Sequence, residues 1–299
     1  VSTDVLSGRL SPDEMFPAHD ARFRVTYVNV TVRGSVLRLR VIECGDPDAQ
    51  DVVVCVHGWA CSVYSFRDIM PMFAERGMRA VAMDLPGAGL SDKPEYPPLY
   101  TLDGQVESVV AVMDALSVER ALLVGHSMGA PISARVATLV PERVRALLLL
   151  APAGFGEETL LRIASALTPW FIAPVLPYLA SRWLFARVLD FAYGTLCRPS
   201  ARNVDEYWAP SQFPRFVGAM WDLLHHFDWN AGGHHDFAQI TVPAAVLDGT
   251  EDHFLVRYWV ERWARVLRHA IFERIAGCGH VVAEEAPEKT VDAAMALLR

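Results

Sequence analysis

Ser127 stands at the middle of Gly125-His126-Ser127-Met128-Gly129, between the apolar run Arg120-Ala-Leu-Leu-Val124 and the helix-like run from Ala130 to Ala137. A serine in so short a strand-to-helix turn needs small neighbours, because a side chain at either flank would collide with the strand or the helix. The turn presents the hydroxyl at the strand's C-terminal end, where it can act as a nucleophile if a base is supplied. The Met128 N–H falls at a helix N-terminus, where unpaired donors and the helix dipole favour negative charge. Pro131 suits the first helical turn, where a missing N–H costs little.

A nucleophilic serine needs a base, and the base needs an orienting carboxylate. His280, in Gly277-Cys-Gly-His280, lies just beyond the last expected strand, and Asp252, in Asp248-Gly-Thr-Glu-Asp-His253, lies beyond the strand before it. Three separate strand ends thus bring Ser127, Asp252 and His280 to one sheet edge. Asp248 and Glu251 are the competing carboxylates. No carboxylate directly follows Val144–Ala151, and Glu157 and Glu158 lie further on. A tetrahedral intermediate also needs two donors aimed where charge develops. The Met128 N–H is one, and the loop starting His57-Gly58 offers the Trp59 N–H as the other. His126 and His57 are expected to brace their turns. His225-His226 and His234-His235-Asp236 match no metal-ligand spacing, and Gly87-Ala-Gly89 lacks the helix start and lysine of a phosphate loop, so neither a metal nor a cofactor is expected.

The elements that must position these groups follow from hydrophobic pattern. Phe23–Val30 and Val36–Glu43 alternate as half-exposed strands joined at Arg33-Gly-Ser35. Asp51–His57, Arg79–Asp84, Arg120–Val124, Val144–Ala151, Val242–Asp248 and Ala270–Ile275 complete the strands, several of them apolar throughout. Helices are expected up to about Arg76 and over Leu102–Leu116, Val256–Arg268 and Glu284–Leu298. Such alternation predicts an α/β protein with a mostly parallel sheet covered by helices on both faces. Residues 1–22 read as a loose N-terminal arm, and 23–151 with 240–299 as the core. Residues 152–239, proline-punctuated and rich in aromatics, read as a helical cap that the sheet does not need for support. Some cap rings should line a pocket, with Trp170, Trp183 and Trp221 as candidates.

At 299 residues, 52% hydrophobic and 21% charged, the chain suits one large domain with an insertion. A net charge of −8 without a basic cluster argues against a nucleic-acid partner. Val1–Asp20 has no apolar run and carries Asp4, Asp13, Glu14 and Asp20, unlike a secretory signal. Ile163–Ser181 is uncharged and long enough to span a membrane, but Pro169, Pro174 and Pro177 would break it, leaving peripheral lipid contact as the only membrane role. Five cysteines without a CxxC pair, Cys55 within a buried strand, point to reduced thiols and a cytoplasmic setting. Oligomeric state is not legible.

His57-Gly-Trp59, Asp84-Leu-Pro-Gly-Ala-Gly-Leu-Ser91, Gly125–Gly129, Gly249-Thr-Glu-Asp252 and Gly277-Cys-Gly-His280 together resemble the α/β-hydrolase fold superfamily, in its lid-bearing serine esterase and carbon–carbon hydrolase group. The resemblance spans most of residues 25–150 and 240–299 but does not reach into the cap. It implies Ser127, Asp252 and His280 as a triad, with Trp59 and Met128 as oxyanion donors. The implied activity is hydrolysis of a small ester, or related carbonyl compound, with an apolar part. The alternatives are a carbon–carbon bond hydrolase acting on a diketone-like substrate and a slow-turnover, receptor-like ligand binder. A serine at the elbow in place of an aspartate argues against haloalkane dehalogenase and epoxide hydrolase chemistry.

Overall fold

Strand β3 (Val52–Val56) shows how the sheet is made: Val52, Val54 and Val56 belong to one buried layer, and Val53 and Cys55 to the other. Successive strand side chains point to opposite faces, so an uninterrupted apolar run can only be a strand covered on both sides. β6 (Val144–Leu150) divides in the same way, Leu147 and Leu149 against Ala146, Leu148 and Leu150. The computed structural model describes residues 10–156, 159–173 and 175–299. Residues 1–9 of the expected arm, Glu157, Glu158 and Pro174 lie outside them.

The sheet has eight strands in the order β1-β2-β4-β3-β5-β6-β7-β8. β1 (Phe23–Val32) and β2 (Ser35–Cys44) form an antiparallel hairpin, and β2 pairs antiparallel with β4 (Arg79–Met83). From β4 through β3, β5 (Ala121–His126), β6, β7 (Ala244–Gly249) and β8 (Ile271–Ile275), every pairing is parallel. All parallel strands therefore end at the same edge, and Ser127, Asp252 and His280 all follow such ends.

Helices α1 (Ile69–Glu75), α2 (Leu102–Ala115) and α3 (Gly129–Leu139) cover the sheet. α2 starts where the Thr101 hydroxyl accepts the Gly104 N–H, and it buries Leu102, Val106, Val109, Val112 and Met113 at helical spacing. Among the described residues between β6 and β7 lie six further α-helices: α4 (Thr159–Leu167), α5 (Leu176–Leu179), α6 (Arg182–Ala192), α7 (Ala201–Trp208), α8 (Phe216–His226) and α9 (Ala231–His234). α10 (Arg257–Val266) separates β7 from β8. The helix expected over Glu284–Leu298 is divided into α11 (Val282–Glu285) and α12 (Pro287–Ala296), because the Pro287 ring drives Ala286 out of helical geometry (φ −138°, ψ 58°).

Two expectations are corrected. The described part of the N-terminal arm is not loose: Met15 is buried, the Phe16 ring packs edge-on against Phe23 and Tyr64, and the Phe16 N–H donates to Glu206 Oε1 at 2.7 Å. Nor is the segment between β6 and β7 separate from the sheet's support. Phe155, Phe216, Leu223, Phe227 and Phe237 join the same buried layer as Val54 and Leu147. Among the described residues no helix is long and apolar enough to cross a membrane. All five cysteines are free, with Cys44, Cys55 and Cys278 buried.

Candidate active site

Ser127 has φ +53°, a left-handed conformation that an L-residue adopts only where its surroundings enforce it. Here they do. The Ser127 N–H donates to Leu150 O at 2.9 Å and its carbonyl accepts from Ala130 N at 3.0 Å. The neighbouring glycines are required by close approach. A Cβ on Gly129 would sit 2.0 Å from Val56 O, and one on Gly125 would sit 2.4 Å from Gly129 O. The serine thus leaves β5 and enters α3 with its side chain partly exposed at the sheet edge.

His280 Nδ1 lies 2.8 Å from Asp252 Oδ2. Asp252 Oδ1 accepts the N–H groups of Phe254 (2.8 Å) and Leu255 (3.1 Å), which fixes the carboxylate's second oxygen towards the imidazole. Burial works to raise the Asp252 pKa, but the His280 charge and these hydrogen bonds outweigh it and hold it below the ordinary carboxylate range. The pairing places the His280 proton on Nδ1 and leaves Nε2 as the base. The competing carboxylates are engaged elsewhere. Asp248 Oδ2 accepts from Arg274 Nε at 3.1 Å, and Glu251 Oε1 from the Thr195 hydroxyl at 2.9 Å.

Trp59 and Met128 flank the serine from two loops. A Cβ on Gly58 would touch Ser127 Cβ at 3.0 Å, so the His57 loop lies directly against the elbow. Ala60 has φ +57°. His57 braces this loop: its Nε2 accepts the Leu85 N–H at 3.0 Å, so its proton is on Nδ1 and donates to Gly58 O at 2.8 Å. Among the described residues neither the Trp59 nor the Met128 N–H has a hydrogen-bond partner within the chain. The Trp59 indole N–H donates to Met220 O at 3.0 Å, which holds the residue in place. His126 is buried and its Nε2 donates to His280 O at 3.0 Å. Burial, followed by the neighbouring His280 charge, pushes its pKa down to about 3, so it stays neutral.

The seat of His280 is a junction that the sequence reading missed. The His280 N–H donates to Ala192 O at 2.7 Å, and Thr195 N and Leu196 N donate to Gly277 O at 2.7 and 3.0 Å. The two backbones are so close that a Cβ on Gly279 would lie 2.3 Å from Ala192 O, and one on Gly194 2.2 Å from Gly277 O. Glu285 closes the contact by accepting the N–H groups of Gly194 and Gly279, both at 2.8 Å. Beside it the buried Glu284 accepts from the Tyr193 hydroxyl and Arg67 Nη1, each at 2.6 Å, and from the Tyr207 hydroxyl. Burial outweighs the Gly194 and Gly279 hydrogen bonds and raises the Glu285 pKa. The available signal was Gly194 opposite Gly277 and Gly279, together with two adjacent carboxylates on an otherwise apolar turn.

Ser127 and His280 open into one cavity of about 700 Å³. Its wall is mostly apolar and includes Trp59, Leu161, Phe185, Leu189, Trp229 and Phe254, with Arg187 and Asp190 at the exposed rim. The expected pocket tryptophans are elsewhere. Trp170 and Trp183 are exposed on the outer surface, and Trp221 packs against His225 with its indole N–H on Thr168 O at 2.6 Å. From α6 the wall takes Phe185 and residues 187–192, and Trp183 is not among them. His234 pairs with Asp228 at 2.9 Å.

The family model for the alpha/beta hydrolase fold matches residues 51–287. The chain is 27% identical to "Uncharacterized hydrolase YugF" of Bacillus subtilis (strain 168), over 80% of this chain and 86% of that one. It is 28% identical to "Epoxide hydrolase A" of Mycobacterium tuberculosis, over 88% of this chain and 94% of that one. Among solved structures it is similar to Cfl2 from Burkholderia cenocepacia (TM-score 0.79, 22% identity, 94% of this chain and 98% of that one). It is also similar to a bacterial membrane phospholipase A (TM-score 0.74, 24% identity, 92% and 86%).

Proposed function

The chain belongs to the α/β-hydrolase fold family, and from that premise we propose that it is a serine hydrolase cleaving a carboxylic ester with an apolar part. The observation that carries the reading is the His280–Asp252 contact of 2.8 Å beside the cavity that His280 and the strained Ser127 elbow both line. Ser127 Oγ attacks the ester carbonyl while His280 Nε2 takes its proton. Asp252 keeps the imidazole in the required tautomer and stabilises the imidazolium. The free Trp59 and Met128 N–H groups receive the developing oxyanion, where each donor is worth about 10²–10³-fold in rate. His280 then returns the proton to the leaving alcohol, and water activated by the same base releases the acid.

The apolar wall favours a substrate whose acyl or alcohol part is hydrophobic, because excluding water from such a pocket drives binding. The segment between β6 and β7 acts in this reading as a cap over the site. The activity in the name of the epoxide hydrolase relative does not carry over. Opening an epoxide through a covalent ester requires a carboxylate nucleophile, and position 127 is serine. A panel of p-nitrophenyl esters of rising chain length tests the proposal. Turnover should be measurable and should fall by about 10⁴-fold or more in Ser127→Ala with the melting temperature unchanged. Full activity in that variant would refute the role of Ser127, and inertness of the wild type to every ester would refute the substrate class.

A further inference from the structure

A departing alcohol takes up a proton as it leaves the acyl carbon. The donor is the imidazolium of His280, so the alcohol oxygen has to come within hydrogen-bond reach of Nε2, about 3 Å. Whatever that oxygen carries therefore begins beside the imidazole. Two rings of the cavity wall stand there. Phe254 lies with its ring centroid 5.1 Å from that of His280, and Phe191 of α6 meets Phe254 edge-on at 5.2 Å. Both line the cavity that Ser127 and His280 line. We infer that Phe254 and Phe191 form the alcohol subsite and select an ester whose alcohol part carries an aromatic ring. The inference rests on the reading of Ser127 as the nucleophile of an ester hydrolase, and it adds which end of the ester these rings recognise.

Packing alone does not account for the pair. Phe254 leans on the buried group that includes Leu189, Tyr193, Tyr207 and Val281, yet it keeps part of its surface open. Phe191 lines the cavity and is still 42% exposed, which puts it at the rim. Large rings left open along a cavity have apolar surface to offer a ligand. Aromatic rings also attract one another edge-on or offset, at centroid separations of about 4.5–7 Å, beyond what buried area alone gives. Phe191 and Phe254 hold that geometry with each other, at 79°, and a ring on the substrate extends it. A charged alcohol part finds no counterpart in Arg187 and Asp190, because these rim residues are paired with each other at 3.1 Å. Phe254 is also fixed through its backbone, since its N–H donates to Asp252 Oδ1 at 2.8 Å. The subsite is thus tied to the carboxylate that orients His280, and ring and base keep their spacing.

The test uses the methyl and benzyl esters of acetic and butyric acid. Methanol and benzyl alcohol are of nearly equal acidity, so leaving-group chemistry favours neither. Wild-type kcat/KM should favour benzyl over methyl for both acids. Phe254→Ala should cut the benzyl-to-methyl ratio by about tenfold, while the butyrate-to-acetate ratio stays within about twofold. Phe254→Leu, which keeps bulk without the ring, should recover part of the ratio. Phe191→Ala, at the rim, should lower it by less than Phe254→Ala does. A general loss of His280 positioning would slow all the esters alike, so a benzyl-to-methyl ratio unchanged in every variant overturns the inference. So does a shift in the acid ratio without one in the alcohol ratio, since the rings would then hold the acyl part. A wild type inert to all the esters refutes instead the reading of Ser127. Binding of benzyl butyrate to Ser127→Ala, followed by ligand-observed NMR, then decides the subsite by itself. Binding weaker by about tenfold in the double variant with Phe254→Ala supports the aromatic subsite, and equal binding overturns it.

Discussion

The two halves of the segment between β6 and β7 are built on opposite principles. The outer half, α4 to α6, leaves most of its large rings in solvent: Trp170, Phe171, Tyr178 and Trp183 are all exposed, while Phe185 lines the cavity. The inner half, from Ala192 to Ile240, buries Tyr193, Tyr207, Phe216, Phe227 and Phe237, and its polar groups end on Glu284 and Glu285 beside the His280 loop. Similar aromatic content thus serves two ends. The inner half is part of the construction that holds the histidine, and the outer half presents a surface. Changes in the inner half should therefore register in rate and stability, and changes in the outer half in substrate handling alone.

The largest contrast lies at the sheet edge that the inner half is fastened to. Asp252→Asn should lower kcat by about 10⁴-fold, because the amide leaves His280 in the wrong tautomer. Asp248→Asn, four residues earlier and bonded to Arg274, should change it by a few-fold at most. Steady-state kinetics on the two variants decides, and an equal or reversed loss would mean that the orienting carboxylate is misassigned. The same kinetics across pH should show wild-type activity rising as His280 loses its proton.

A single type of substitution then separates exposed from buried rings. Trp263 is fully buried between Phe155 and Phe237, with its indole N–H on Ala153 O at 3.0 Å. Trp263→Ala should cost about 3–5 kcal/mol. Trp170→Ala or Trp183→Ala should stay within about 0.5 kcal/mol. Urea melts measure both, and a large loss at Trp170 would place the outer face inside the core.

Glu285→Ala should reduce kcat by about 10- to 100-fold with little change in KM, because the Gly279 and Gly194 N–H groups lose their shared acceptor and the His280 loop shifts. Glu285→Gln keeps one acceptor oxygen and should recover part of the loss. If both variants match the wild type, the junction does not position the histidine.

The smallest expected effect is on stability against pH. Burial, then the neighbouring Asp252 charge, raises the Asp248 pKa to about 6. The folded protein therefore holds this proton more tightly than the unfolded chain does. The resulting stabilisation is complete below the unfolded carboxyl value of about 3.9 and is lost as pH rises through about 6. Asp248→Asn should remove that slope and add about 1–2 kcal/mol at neutral pH. Denaturant melts of both proteins from about pH 4 to 7 test the sign.

The sheet was legible in the sequence because strands buried on both faces must be apolar throughout, as in Val52–Val56 and Val144–Leu150. That Ser127, Asp252 and His280 lie at one sheet edge was legible because each follows the end of a parallel strand. The split of the C-terminal helix at Pro287 was readable from the proline and was passed over. Which large rings are covered was not legible: Trp170 and Trp183, between β6 and β7, are exposed and Trp263, on α10, is buried, and tertiary packing decides this. The Glu284 and Glu285 contacts join residues some 80 to 90 positions apart, and no periodicity records such a pairing.

The central claim, that Ser127 is an activated nucleophile served by His280 and Asp252, is tested most directly by stoichiometric labelling with a fluorophosphonate, followed by tryptic digestion and mass spectrometry. The adduct should appear on the peptide spanning 121–135, at Ser127, in the wild type. It should form far more slowly in Asp252→Asn and not at all in Ser127→Ala. An adduct on a different serine, or a wild-type protein that does not react, would contradict the claim.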